Sequence, residues 1–277
     1  MVLLAGSVIR RYERFSLYNS PYPAHDAGCA IDLYPDDGVA ASPVGGEVLR
    51  TKRVRCPEQP YAASEDFLVL VECGECVARI LHVDPAVEAG DTVAVGDTLG
   101  SLVRSGFFGR WVDNHIHVGF RRRGQNYERA RGSVPIEPGV EVDGVPWDGT
   151  GTVVASGPTH VRLDSPSRDG EGFEALGSDE GYALDGGLPH YADGGVLEAA
   201  EGTVSLLGAP VGEVDGRGVR WRDVGVFVDG ERATGLSLFA SQGAIGAKIV
   251  FEDGHGFERG DAVEVGIDPG AESVRLG

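Results

Sequence analysis

Lysine is almost missing from this chain of 277 residues: Lys52 and Lys248 are the only two, and arginine carries the rest of the positive charge. The balance of 24 basic against 43 acidic residues leaves a net charge of −19. Such a surface repels phosphate backbones and anionic lipid headgroups, which excludes nucleic-acid binding and polybasic membrane attachment as leading functions. Long apolar runs are lacking too. The longest uncharged stretches, such as Leu236 to Ala247, are interrupted by Gly and Ser and fall far short of the ~20 residues of a membrane span. Met1 to Arg14 has no signal-peptide core or small-residue cleavage site, so a cytoplasmic location is expected. Four cysteines, Cys29, Cys56, Cys73 and Cys76, are too few for a disulfide scaffold in a chain of this size. The combination of scarce lysine and abundant Asp and Glu reads as adaptation to a salt-rich (halophilic) cytoplasm, with an ordinary acidic protein from a GC-rich genome as the alternative.

What the chain has in excess is glycine. Its 43 glycines are about twice the usual share of ~7%, and they recur between short runs rich in Val, Leu, Ile and Thr. No window shows a sustained helical stripe, so an all-β fold with little helix is expected. Strands are predicted at Phe67 to Cys73, Cys76 to Val83, Ile116 to Arg121, Gly151 to Ala155, Val226 to Asp229 and Lys248 to Glu252. Gly132 to Gly149 contains Pro135, Pro138 and Pro146 with few strand signals, which places a domain boundary there, between residues 1–138 and 139–277. Val87 to Asp97 and Phe257 to Gly266 echo each other as apolar stretches broken by Gly-Asp, a pattern too common in Gly-rich β chains to establish a repeat.

Four of the seven histidines, His25, His82, His115 and His117, lie in the first 120 residues. Strand alternation puts His115 and His117 on one side, with Ile116 and Val118 on the other. Along His25-Asp26-Ala27-Gly28-Cys29-Ala30-Ile31-Asp32, an imidazole precedes a carboxylate by seven positions, with Gly28 permitting a tight turn between them. Neutral imidazole and carboxylate suit a catalytic zinc, which takes three protein ligands and leaves a position open. His25, Asp32 and one histidine of the pair would make such a three. Taken singly, each residue reads as a turn histidine, a capping carboxylate or a polar strand face.

Cys73-Gly74-Glu75-Cys76 joins two apolar runs through two residues beginning with Gly, the signature of a II′ hairpin. Counting outward, Val71 opposes Ala78, Val69 opposes Ile80 and Phe67 opposes His82, which puts His82 on the face of the cysteine pair. The cysteines are expected to be two packed thiols able to oxidise across the hairpin, with a Cys₄ metal site as the less favoured alternative.

From about His25 to Pro138 the chain resembles the lysostaphin-type zinc endopeptidases, β-sandwich enzymes of the duplicated hybrid motif type. Five landmarks occur in their order: the His…Asp motif, the stretch Tyr34 to Val48, a hairpin ending at His82, the stretch Val87 to Gly100, and the pair His115 and His117. One departure is visible. That family spaces its first histidine and aspartate as H-x₃-D, whereas this chain has H-x₆-D, a spacing similar to the D-Ala-D-Ala carboxypeptidase and hedgehog-type zinc domains. The resemblance implies a lysostaphin-like β-sandwich followed by a second Gly-rich β domain. It also implies zinc (Zn2+) on His25, Asp32 and His117, with His115 and His82 unligated. His115 is then expected to accept a proton and His82 to bind the developing oxyanion.

The function this implies is zinc-dependent hydrolysis of peptide (amide) bonds, acting on a peptide-like substrate. The alternative is a non-catalytic metal-binding or scaffold module for a protein partner. A phosphocarrier has no use for His25 and Asp32. Lys52, flanked by Thr51 and Arg53, does not fit a lipoyl or biotinyl carrier. Beyond residue 138 no motif carries chemistry, and His160, His190 and His255 are expected at the surface.

Overall fold

The computed structural model describes residues 1–129, 133–168, 170–243 and 245–276. It is nearly all β, 51% strand and 3% helical. The chain divides into two compact units: Met1–Phe15 with Pro23–Val140, and Ser16–Tyr22 with Glu141–Gly277. Among the described residues, no helix is long and apolar enough to cross a membrane.

The first unit is built around an antiparallel sheet. Its strands run in the order Ala30–Tyr34, Ile116–Arg122, Cys76–Leu81, Glu65–Cys73, Gly46–Arg55 and Thr92–Val93. These segments become strands because β-branched and aliphatic residues alternate or run together between turn signals. Ile31, Leu33, Val69, Val71, Ile80, Ile116 and Val118 are all withdrawn from solvent, and each buried aliphatic side chain contributes roughly 1.5–3 kcal/mol. A three-stranded sheet orders Val39–Ala41, Thr98–Leu102 and Val83–Pro85.

The hairpin register is the one counted from the sequence: Cys73 pairs with Cys76, Val71 with Ala78 and Val69 with Ile80. Gly74 adopts φ +59°, the left-handed position that a II′ turn requires at its first central residue. Cys73 and Cys76 are half-buried free thiols, and burial pushes the Cys73 thiol up. Cys29 and Cys56 lie apart from them, each bonded through its thiol to a local carbonyl, of Ala27 and Ala63 respectively. Among the described residues no cysteine belongs to a metal-binding group, so the Cys₄ alternative is not formed.

The Val87–Asp97 and Phe257–Gly266 echo is local turn chemistry. Asp91, Asp97 and Asp261 each accept the backbone N–H three residues earlier at 2.7 to 2.8 Å, beside a left-handed glycine at 90, 96 or 260. The same four-residue turn therefore recurs in both units without implying a shared fold.

The Pro-containing segment around residue 138 holds more structure than expected. Ile136–Gly139 pairs in parallel with Val2–Ala5, and Val142–Val145 pairs in parallel with Phe173–Leu176. Pro138 is tolerated because a two-stranded ribbon leaves one side of each strand without ladder bonds. The units meet in sequence at Val140/Glu141, but Ser16–Tyr22, which the sequence reading leaves within residues 1–138, packs with the second unit. The buried carboxylate of Asp185 holds it there, accepting Ser16 Oγ–H at 2.5 Å and the N–H groups of Leu17 and Tyr18 at 2.6 and 3.2 Å.

The second unit contains a ten-stranded sheet dominated by the long hairpin Asp193–Leu206 and Ala209–Trp221. Its core includes Val153, Val161, Leu184, Leu236, Ile249 and Trp221. It also carries most of the negative charge: the first unit has 15 basic and 18 acidic residues, the second 9 and 25. The expectation that its histidines lie at the surface fails for one of the three. His190 is fully buried and His160 and His255 are half-buried. The His190 ring fills space that Gly187 and Gly235 leave open, since a Cβ at either would fall 2.6 or 2.7 Å from its nitrogens.

Burial pushes His190 down to about 3, with Arg275 adding to the shift. The unfolded chain takes up a proton near 6.5 and the folded chain does not, so stability present above pH 6.5 is lost as pH falls toward 3. Thermal unfolding of the full chain should show a steeper fall in Tm between pH 6.5 and 4 than His190→Leu does. Parallel curves for the two proteins would show that another group sets the acid limit.

Candidate metal centre

His25 sits on the single helical turn Pro23–Asp26. That turn ends with Gly28 at φ +59°, with Cys29 N–H on Ala24 O at 2.7 Å and Gly28 N–H on His25 O at 2.8 Å. This is a Schellman termination, which reverses the chain directly into the strand bearing Asp32. The residues between His25 and Asp32 thus form a helix end, where the sequence reading expects only a tight turn. Antiparallel pairing of Ala30–Tyr34 with Ile116–Arg122 then sets Asp32 directly opposite His117.

The three predicted ligands meet. His117 Nδ1 lies 2.9 Å from Asp32 Oδ1, His25 Nε2 lies 3.2 Å from His117 Nδ1, and His25 Nε2 lies 3.6 Å from Asp32 Oδ1. Tetrahedral zinc with bonds of ~2.0–2.1 Å sets its donor atoms roughly 3.3 Å apart, so the donor set fits such an ion. Among the described residues, His25, Asp32 and His117 form the one group of this kind.

His25 and Asp32 are buried and His117 is partly exposed. Burial works to raise the Asp32 carboxyl, but His115, His25 and His117 outweigh it and hold the group well below the usual carboxylate range. Burial is also the main influence on His117 and His115, taking both down to about 4 against the pull of Asp32, so both are neutral at pH 7. Neutral imidazoles and an ionised carboxylate are the protonation states a metal needs.

His115 and His82 complete the cluster. His115 Nε2 lies 3.6 Å from Asp32 Oδ2, and its Nδ1 is 2.9 Å from the Asp113 carbonyl. A carbonyl only accepts, so Nδ1 carries the proton of the neutral ring. The His82 ring centroid is 5.1 Å from that of His115 and 5.8 Å from that of His117. Strand alternation fails to predict this placement. His117 faces Leu81 across one strand pair and Leu81 faces Leu68 across the next, so the metal-site face carries Leu81, and His82 should point the other way, with the cysteines. Instead His82 adopts φ +69°, ends its strand, and swings its ring onto the metal-site face.

Sequence reasoning missed the residues that hold these rings. Asp66, fully buried, accepts His82 Nδ1–H at 2.6 Å and His82 N–H at 3.1 Å. It also accepts Phe67 N–H at 2.7 Å and Ser105 Oγ–H at 2.7 Å. The available signal was a lone aspartate at the head of an apolar strand whose register to His82 is countable. Phe108 packs against His115 and His82, at centroid distances of 4.7 and 5.2 Å. Arg104 braces that loop, stacking on Phe108 at 4.8 Å and donating to the carbonyls of Gly109, Arg110 and Val112. On another side, Tyr34 lies 5.2 Å from His115, under Arg14, which pairs with Asp113 at 2.9 Å.

Two family comparisons match the chain. The N-terminal domain of DUF8155, described as a domain of unknown function, matches residues 3–138, and the C-terminal domain of DUF8155 matches residues 143–268. No curated protein matches it. Together the two matches span nearly the whole chain, which therefore belongs to the DUF8155 family.

Proposed function

We propose that the first unit is a zinc-dependent hydrolase of peptide (amide) bonds. The observation that carries this reading is the spacing of three donor atoms, 2.9 to 3.6 Å apart, at the separation tetrahedral zinc requires. His25, Asp32 and His117 would hold the ion, which when bound supplies a Lewis acid that polarises a carbonyl and makes water more acidic.

His82 and His115 remain to handle protons. Each has its Nδ1 committed, to the Asp66 carboxylate and to the Asp113 carbonyl respectively, which leaves Nε2 for the reaction. Phe108 shields the ring of each, and a drier site strengthens every polar interaction made there. A metal-holding scaffold would need the three ligands, but would gain nothing from two further imidazoles with oriented nitrogens beside them. The peptide-like substrate is read from the reaction class, and a protein partner belongs to the scaffold alternative.

Protein expressed in zinc-replete medium should contain about one zinc per chain by elemental analysis, and Asp32→Ala should lose it. Absence of metal from the parent protein would end the zinc reading.

His82→Ala and His115→Ala should each keep zinc yet lose turnover on short Gly-rich or Ala-rich peptides by roughly 10²-fold or more. His117→Ala should lose both metal and activity. Retained zinc with no hydrolysis by the parent across the panel would leave the scaffold function instead.

A further inference from the structure

The contrast between the two unligated histidines is chemical as well as spatial. Behind His115 Nδ1 stands a neutral peptide carbonyl at 2.9 Å, whereas behind His82 Nδ1 stands a carboxylate at 2.6 Å. Asp66 is a fully buried acidic group held, among the described residues, by uncharged donors and His82, with no Lys or Arg pairing there. Burial works to raise its carboxyl, and the bonds from His82, Ser105 and Phe67 overcome this and hold it below the usual value. Four donors fill its two oxygens, so it accepts from His82 Nδ1 and cannot donate to it. The tautomer of the neutral ring follows: Nδ1 protonated, Nε2 a lone pair. Asp66 also binds the His82 main-chain N–H, so one carboxylate grips both backbone and ring of a residue in the left-handed region. That conformation is uncommon for a residue other than glycine, and it is what turns the ring onto the metal-site face. Ser105 extends the grip by accepting Phe107 N–H at 3.2 Å, which couples the same carboxylate to the aromatic loop.

We propose that Asp66 is the positioning residue of His82, fixing its orientation and its Nδ1–H tautomer, so that His82 Nε2 takes the proton of the attacking water. In this assignment the proton passes from water to Nε2 and then to the nitrogen of the departing amine as the C–N bond breaks, and Asp66 stabilises the transient imidazolium without taking its proton. His82 is then a proton acceptor and not the oxyanion donor that the family resemblance implies. The catalytic half of this assignment rests on the hydrolase reading; the positioning half does not.

The test is histidine-ring nitrogen NMR on the full chain at pH 8, with and without added zinc, the His82 signals being identified by their loss in His82→Gln. Nδ1 of His82 should be protonated and Nε2 not. In Asp66→Asn the ring should leave the pure Nδ1–H form, while zinc content stays at the parent level and turnover falls roughly 10²-fold or more. A parent spectrum showing His82 as Nε2–H overturns the proposal even if Asp66→Asn fails to fold. An unchanged tautomer in folded Asp66→Asn overturns it as well. If the parent hydrolyses no peptide, the hydrolase reading fails and the proton-transfer role with it. The tautomer measurement still decides whether Asp66 positions His82.

Discussion

Antiparallel pairing of Ala30–Tyr34 with Ile116–Arg122 places Asp32 opposite His117, and the candidate site rests on that register. A slip of one residue would turn Asp32 and His117 to opposite faces and dissolve the donor set, because side chains alternate with a period of two. Apolar neighbours guard the register: Ile31, Leu33, Ile116 and Val118 are all fully buried, so a slip of either strand would expose two large side chains while burying charge. The ligand that the sheet cannot supply, His25, arrives on the short helical turn that Gly28 terminates. Core burial therefore sets the geometry, and the polar site uses the face that the core leaves free.

Buried carboxylates do much of the local organising. Asp32 lies among imidazoles, Asp66 among two main-chain N–H groups, a hydroxyl and an imidazole, and Asp185 among a hydroxyl and two main-chain N–H groups. An isolated buried carboxylate is costly, and several well-aligned donors are what make ionisation tolerable. Each of the three therefore fixes a piece of backbone or ring that would otherwise have alternatives: the histidine cluster, the turn at His82, and the segment Ser16–Tyr22. The acidic excess is a separate matter, concentrated in the second unit.

Local physics was readable from one sequence. Alternation and a Gly-initiated two-residue turn were sufficient for the Cys73–Cys76 hairpin register, and the Gly-Asp echoes were sufficient to locate turns, though not to say that they share one capping geometry. The order of His25, Asp32, His82, His115 and His117 along the chain marked the residues that assemble. Proline content alone was a poorer guide near residue 138, because parallel pairing to distant segments supplies hydrogen bonds that local composition cannot reveal.

The sequence by itself determined the all-β class, the strand faces of the central hairpin, and which side chains could serve as ligands, since all of these follow from periodicity and residue chemistry within a few positions. Only the tertiary structure decided that Ser16–Tyr22 joins the second unit, that His190 lies in a space left by two glycines, and that His82 faces the histidine cluster. In each case the deciding partner is remote in sequence: Asp185 for the segment, Gly235 for His190, and Asp66 for the left-handed turn at His82. Alternation predicts a face only while the backbone stays extended, and here a carboxylate from the neighbouring strand makes it turn.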